Sequence, residues 1–115
     1  MKILIADDEM LIRRALERIF VSRGHIVQSV EDGVAAVKAW KEFNPDLVIL
    51  DILMPGMTGI EVLKEMGPKR RAKVALISAY SGHEEVGSYT KLGIETFIQK
   101  PFNDIYAVAE QMENL

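Results

Sequence analysis

The chain has 115 residues, of which 49% are hydrophobic and 27% charged, and its formal net charge is −3. This composition is ordinary for one globular domain, whereas a nucleic-acid-binding surface needs a basic face, so we expect no direct nucleic-acid binding. There is no cysteine, which excludes disulfides and thiolate sites, and no apolar run of the ~18 residues that span a membrane, so we expect a cytoplasmic protein that contacts no membrane.

Short apolar runs alternate with amphipathic segments along the whole chain. Runs of four to six apolar residues are typical of strands buried on both faces, and a 3.6-residue spacing is typical of helices. The predicted strands are 2–6, 25–29, 46–50, 73–77 and 95–99. The predicted helices are 10–23, 33–43, 58–66, 82–92 and 104–114. This alternation predicts one α/β domain over residues 1–115, a parallel sheet with helices on both faces.

Residues at the predicted helix starts indicate how these helices begin. Asp32 and Asn103 are the expected N-caps, because their side chains can accept hydrogen bonds from free helix amides. Helix 10–23 has a polar face that consists of Arg13, Arg14, Glu17 and Arg18. Helix 82–92 is the weakest, since Gly82 and Gly87 each cost ~1 kcal/mol relative to alanine. The glycines fit a helix that changes between two conformations when the protein switches. A close packing contact at Gly87 explains the same residue equally well without switching.

Polar groups suited to phosphate or a cation follow four of the predicted strands. They are Asp7 and Asp8, Asp51, Ser78 and Lys100, in chain order. Because the carboxyl ends of parallel strands open onto one edge of a sheet, we expect these five groups to share one cleft. Each residue by itself also suits a helix cap, a turn or a solvated surface. Their joint placement favours a functional site.

Three neighbouring carboxylates repel one another and raise at least one pKa unless a cation offsets their charge. Mg²⁺ is well suited, because it takes carboxylate oxygens and water. A carboxylate beside Mg²⁺ and Lys100 is a plausible nucleophile toward phosphorus, since both cations offset charge on the phosphoryl oxygens during in-line attack. Ser78 can then donate a hydrogen bond to a phosphoryl oxygen.

Four motifs resemble the receiver domain of two-component response regulators, over Lys2 to about Glu113. They are IADDE at 5–9, LDILMPGMTG at 50–59, ISA at 77–79 and KPF at 100–102. Each motif is weak alone, but the four together, in this order and spacing, are specific. The resemblance implies a flavodoxin-like (βα)5 doubly wound fold with strand order 2-1-3-4-5, and the chain is similar to single-domain members of the chemotaxis or phosphorelay type.

The resemblance also implies a role for each residue of the cleft. Asp51 is the expected phosphoacceptor, Lys100 the phosphate clamp, Ser78 the switch hydroxyl and Phe97 the switch aromatic, and the peptide bond after Lys100 is often cis in relatives. The expected Mg²⁺ ligands are Asp7, Asp8, Asp51 and the backbone carbonyl of Leu53. Such a domain is a signalling protein and not an enzyme, although it catalyses its own phosphorylation and dephosphorylation.

Partners follow from the same resemblance. The phosphodonor is expected to be a sensor histidine kinase or a histidine phosphotransfer domain. Its expected docking residues are Leu11, Ile12, Ala15, Pro101 and Phe102, and at least one of the first three is expected to serve the core. Phosphorylation adds roughly −1.5 to −2 charge, which is expected to change the face of the fourth helix, fifth strand and fifth helix. That face, which could include Tyr106, would bind a downstream target or a fused output domain.

Several positions depart from the usual family pattern. Leu53 and Tyr80 are large residues at the two positions that flank the phosphorylation site. We expect them to obstruct an attacking water molecule, so the phosphoryl group should be long-lived. Thr58 stands where aspartate is frequent, which we expect to affect only the turn.

Three other functions are compatible with an α/β domain of this size. A flavodoxin-like cofactor binder needs a hydroxyl- and glycine-rich phosphate loop, where this chain has Asp7, Asp8 and Glu9. A phosphohydrolase with an aspartyl nucleophile has a second acid two residues later, where Leu53 stands. A receiver-like adaptor that never accepts phosphate is disfavoured, because every required residue is present.

Overall fold

The computed structural model describes residues 1–68, 70–79 and 91–115. Five strands in these residues form one sheet: β1 (Lys2–Ala6), β2 (Ile26–Val30), β3 (Leu47–Asp51), β4 (Lys73–Ser78) and β5 (Thr96–Gln99). The sheet has the order β2-β1-β3-β4-β5, and every neighbouring pair is parallel. This confirms the predicted fold class and strand order.

The described residues contain four helices: α1 (Met10–Ser22), α2 (Gly33–Phe43), α3 (Gly59–Met66) and α4 (Ile105–Glu113). Residues 82–90 of the predicted helix 82–92 lie outside the described residues, as does Tyr80. Within the described part of the chain, no helix is long and apolar enough to cross a membrane.

The sheet separates two apolar layers. Alternate residues of β1 serve opposite layers, because successive side chains of a strand point to opposite faces. Leu4 packs with Trp40 of α2 and Leu63 of α3, whereas Ile5 packs in the layer formed with α1 and α4. The four residues Ile3 to Ala6 are all fully buried, which explains why β1 reads as an uninterrupted apolar run.

Two helix caps show where local sequence patterns succeed and fail. Asp32 accepts a hydrogen bond from Ala35 N at 2.7 Å, as predicted. The predicted cap Asn103 is wrong: Asp104 is the cap, and its Oδ1 accepts from Tyr106 N at 3.0 Å and Ala107 N at 3.2 Å. Asn103 and Asp104 are adjacent residues with similar capping ability, and the chain enters the helix one residue later than expected.

The predicted second strand is displaced by one residue. His25 N donates to Phe20 O at 3.1 Å, so this residue still belongs to the turn that closes α1. The strand therefore begins at Ile26 and ends at Val30, which pairs with Ala6 at the end of β1. This register brings the carboxyl ends of β1 and β2 to the same edge.

Two glycines allow the chain to fold tightly around the end of β3. A Cβ on Gly59 would lie 2.4 Å from the Asp51 carbonyl oxygen, and one on Gly33 would lie 1.9 Å from the Met57 carbonyl oxygen. Thr58 begins α3 with a reciprocal cap, since its hydroxyl accepts from Glu61 N while its own amide donates to the Glu61 carboxylate. Threonine at position 58, where relatives often have aspartate, therefore acts as the N-cap of α3.

Candidate functional site

An acidic cleft lies at the carboxyl edge of the sheet, beside β1 and β3. One carboxylate oxygen from each of Asp7, Asp8 and Asp51 lies within 4.8 Å of the others. Asp7 and Asp51 are buried and Asp8 is exposed. The connections from β1 and β3 run in opposite directions across the sheet here, and this reversal is where doubly wound domains bind ligands.

Lys100, the residue after β5, closes the cleft. Its Nζ lies 2.8 Å from Asp7 Oδ2, donates to Asp51 Oδ2 at 3.2 Å and lies 3.6 Å from Glu9 Oε1. The side chain is buried, so these carboxylates take the place of its water shell. The peptide bond between Lys100 and Pro101 is cis, as the resemblance implied.

Ser78 and Phe97 occupy the last two strands. Ser78 is fully buried at the end of β4, and its carbonyl oxygen accepts a hydrogen bond from Lys100 N at 2.8 Å. Phe97 pairs with Leu76 in the β4–β5 ladder and packs, half-buried, against the layer formed by α2 and α3. Their switching roles stay predictions.

The cleft makes Asp51 unusually weak as an acid in the absence of a cation. Burial and then the charge of Asp7 raise the pKa of the Asp51 carboxyl to about 7, and the Lys100 ammonium offsets only part of this effect. For Lys100, burial lowers the pKa, but the contacts with Asp7 and Asp51 outweigh burial and raise it overall. Lys100 therefore stays charged, whereas Asp51 is poised to ionise when more positive charge arrives.

Asp7 is held by contacts on both its main chain and its side chain. Its amide donates to Val30 O at 3.1 Å, and its Oδ1 accepts from Glu9 N at 2.8 Å. Its carbonyl oxygen accepts from Arg13 Nη1 at 2.8 Å. Neither Arg13 nor Glu9 was assigned to the site from sequence. One signal existed, because an arginine close to a helix N-terminus opposes the helix dipole and needs a compensating contact.

The donor set fits a hard divalent cation. Asp7 Oδ2 is buried near Lys100, but no donor in the described residues makes a hydrogen bond to it with acceptable angles. Asp7, Asp8 and Asp51 together carry more negative charge than the single Lys100 ammonium offsets when all are ionised. Carboxylate oxygens in this number, with one side open to water at Asp8, are what Mg²⁺ prefers.

The predicted docking residues differ in exposure. Leu11 is 81% exposed, and Pro101 is also exposed. Ile12 and Phe102 are half-buried against the layer of α1 and α4, and Ala15 is half-buried. Of the three helix residues, Ile12 therefore makes the expected contribution to the core, and Phe102 packs against the same layer. Leu11 is the most exposed large apolar residue of the predicted docking set.

The switch point of this doubly wound domain thus carries two buried aspartates, one exposed aspartate and a buried lysine, a set of groups suited to a cation and a phosphoryl group. Residues 3–110 match the response regulator receiver domain, so the chain belongs to that family. It is therefore a signal-transduction domain of two-component systems.

Individual relatives agree with this assignment. The chain is 39% identical over 103 residues to the chemotaxis protein CheY of Bacillus subtilis, covering 88% of this chain and 86% of that protein. It is 36% identical over 103 residues to the regulatory protein AtoC of Escherichia coli, covering 89% of this chain but 22% of that protein.

A solved structure is similar over nearly the whole chain. The response regulator protein TrrA of Thermotoga maritima, in complex with Mg²⁺-BeF, has a TM-score of 0.82 and 34% identity. The match covers 98% of this chain and 96% of that one. The family thus occurs both as proteins of about this length and as part of longer regulators.

Proposed function

We propose that residues 1–115 form one receiver domain that works as a phosphorylation-controlled switch, with Asp51 as the phosphoacceptor. The observation that carries the proposal is the environment of Asp51. Its carboxylate is buried, accepts a hydrogen bond from Lys100 Nζ at 3.2 Å and shares a cleft with Asp7 and Asp8. In a cleft of this kind the Asp51 carboxylate is the nucleophile, Lys100 supplies positive charge, and Asp7 and Asp8 can bind a cation.

In the proposed transfer, an oxygen of Asp51 forms a bond to phosphorus on one side. The bond from phosphorus to the imidazole nitrogen of the donor phosphohistidine breaks on the other side, and its electron pair stays on that nitrogen. Lys100 holds its ammonium where negative charge develops on the phosphoryl oxygens. The product is an acyl phosphate on Asp51.

Asp7, Asp8, Asp51 and the backbone carbonyl of Leu53 are the residues that would hold Mg²⁺. When bound, Mg²⁺ supplies positive charge that favours the ionised carboxylate and offsets charge on the phosphoryl oxygens. Without a cation, burial and the charge of Asp7 hold the pKa of Asp51 at about 7, so only part of the Asp51 population is ionised at neutral pH. The positive charge of Mg²⁺ would increase that ionised fraction. Lys100 remains protonated because its own pKa is raised.

The signal is proposed to leave the cleft through the last two strands. Ser78 closes on the phosphoryl group, and Phe97 changes its packing in response. The proposed output face includes β5, α4 and the predicted helix 82–92, and its exposed Tyr106 suits a protein target or a fused output domain. The donor, a sensor histidine kinase or phosphotransfer domain, is proposed to dock at Leu11 and Pro101 together with Ile12, Ala15 and Phe102.

Intact-mass measurement tests the phosphoacceptor directly. The protein is incubated with acetyl phosphate and Mg²⁺, and we expect one phosphoryl increment that chelation of Mg²⁺ prevents. Asp51→Asn should abolish the increment, whereas Glu42→Gln, an acid-to-amide change at an exposed position on α2, should keep it. Absence of an increment in the wild-type protein under all donor conditions would favour the adaptor function instead.

A further inference from the structure

Arg13 makes a contact that its helical position does not predict. It lies near the start of α1, and its guanidinium turns back to the end of β1, where Nη1 donates to the Asp7 carbonyl oxygen at 2.8 Å. The side chain is only 15% exposed. An arginine buried to this extent loses most of its hydration, so the contact with Asp7 has to be well formed to compensate.

The Asp7 carbonyl belongs to the peptide unit that joins Asp7 to Asp8. The preceding peptide unit is held by the hydrogen bond from Asp7 N to Val30 O. With both peptide units held, rotation about the two backbone bonds of Asp7 is restricted. This pair of main-chain contacts then sets the direction of the Asp7 Cα–Cβ bond and the point from which Asp8 departs, and the hydrogen bond from Glu9 N to Asp7 Oδ1 orients the carboxylate itself.

The second contact of Arg13 is much weaker. Its Nη2 lies 3.9 Å from Glu31 Oε2, and the Glu31 side chain is 73% exposed. An ion pair this long and this exposed contributes little, because water screens it. The hydrogen bond to the Asp7 carbonyl is therefore the stronger of these two contacts, and it is the one that holds a residue of the cleft.

We propose that Arg13 is a positioning residue of the acidic cleft, which holds the turn from Asp7 to Asp8 in the orientation that receives Mg²⁺. The part of this proposal that concerns phosphoryl transfer rests on the proposed function. The role of Arg13 in placing the turn is independent of it. Arg13 acts through the main chain of Asp7 and does not itself touch the reacting atoms.

The first measurement is amide hydrogen exchange of Glu9 in the Mg²⁺-free protein. The Glu9 amide donates to Asp7 Oδ1 at 2.8 Å, so its exchange rate reports whether the Asp7 carboxylate keeps its direction. We expect Arg13→Met, which keeps an unbranched side chain, to speed this exchange severalfold. Arg14→Met makes the same charge change at an exposed position on the same helix, and it should leave Glu9 unchanged, as should Glu31→Gln.

The second measurement is the Mg²⁺ dissociation constant, by isothermal titration calorimetry. Loss of a partner that orients a metal ligand typically costs ~10-fold or more in affinity, and we expect about that increase for Arg13→Met but not for Arg14→Met. Thermal unfolding of both variants checks that each is folded, and Arg13→Ala, which also lacks a donor, replaces Arg13→Met if the latter is not. Glu9 exchange and Mg²⁺ affinity equal to those of Arg14→Met would overturn the proposal. Should the wild-type protein bind no Mg²⁺, the proposed function fails, and Glu9 exchange alone decides the role of Arg13.

Discussion

Gly59 packs directly against the main chain of Asp51, and a Cβ at this glycine would lie 2.4 Å from the Asp51 carbonyl oxygen. The Gly59 amide also donates to Ile52 O at 2.8 Å, so the start of α3 is anchored to the residues that follow β3. The glycine therefore determines how closely α3 approaches the proposed phosphoacceptor.

Gly59→Ala should disturb both stability and the cleft. Because the clash is with backbone atoms, α3 or the end of β3 has to move, and we expect a loss of about 1–3 kcal/mol in the free energy of unfolding. Urea denaturation measures this loss. Glu65→Ala, at an exposed position on the same helix, is the control and should change stability by less than about 0.5 kcal/mol. Equal effects of the two substitutions would show that the close approach is not required.

The pKa of Asp51 predicts how stability depends on pH without a cation. The folded pKa of about 7 exceeds the ordinary aspartate value of 3.8, so the folded protein binds more protons than the unfolded chain between these values. The contribution of Asp51 to stability is therefore full below about pH 4 and is lost as the pH rises to about 7.

Asp51→Asn should remove that part of the pH dependence. In Mg²⁺-free buffer at pH 8, we expect the variant to exceed the wild type in free energy of unfolding by roughly 1–3 kcal/mol, with the difference vanishing near pH 4. Denaturation curves across this pH range provide the test. Saturating Mg²⁺ should reduce the difference in free energy of unfolding between the variant and the wild type, because the cation favours the ionised Asp51 carboxylate. A variant no more stable than the wild type at pH 8 would contradict the raised pKa.

Lys100 offsets the charge of two buried carboxylates. Lys100→Met leaves Asp7 and Asp51 without that ammonium, and we expect a loss of about 2–3 kcal/mol in Mg²⁺-free buffer at pH 8. Mg²⁺ should restore more of the stability of this variant than of the wild type, since it supplies charge to the same carboxylates. Lys38→Met, an exposed lysine on α2, is the matched control for denaturation with and without Mg²⁺. Identical responses of the two variants to Mg²⁺ would refute this role.

Leu53 is 59% exposed beside the cleft, and its amide donates to Asp51 Oδ1 at 3.4 Å. An apolar side chain at this place is expected to obstruct a water molecule that approaches the proposed acyl phosphate. We expect Leu53→Asn to shorten the phosphoryl lifetime severalfold with little change in stability, as measured by the decay of the intact-mass increment after donor removal. Val34→Asn alters an equally exposed apolar residue on α2 and should leave the decay unchanged. Tyr80, the second predicted obstacle, lies outside the described residues.

The sequence by itself determined the strand pattern and the candidate residues of the cleft. Runs such as Ile3 to Ala6 predict a strand buried on both faces, and the residues that follow the strands reach one edge because all strands are parallel. These are properties of short segments and of their order in the chain, so local patterns are sufficient. The strand order came from the family resemblance, since alternation alone does not distinguish one order from another.

Only the tertiary structure decided how the cleft is supported. The turn of Arg13 toward the Asp7 carbonyl, the approach of Gly59 to Asp51 and the choice of Asp104 over Asn103 as a helix cap all depend on how elements meet. Helical periodicity places Arg13 on a polar face, but the end of β1 lies within reach of that face and offers a backbone acceptor. Contacts of this kind arise from packing between segments, and the residue types within one segment do not reveal them.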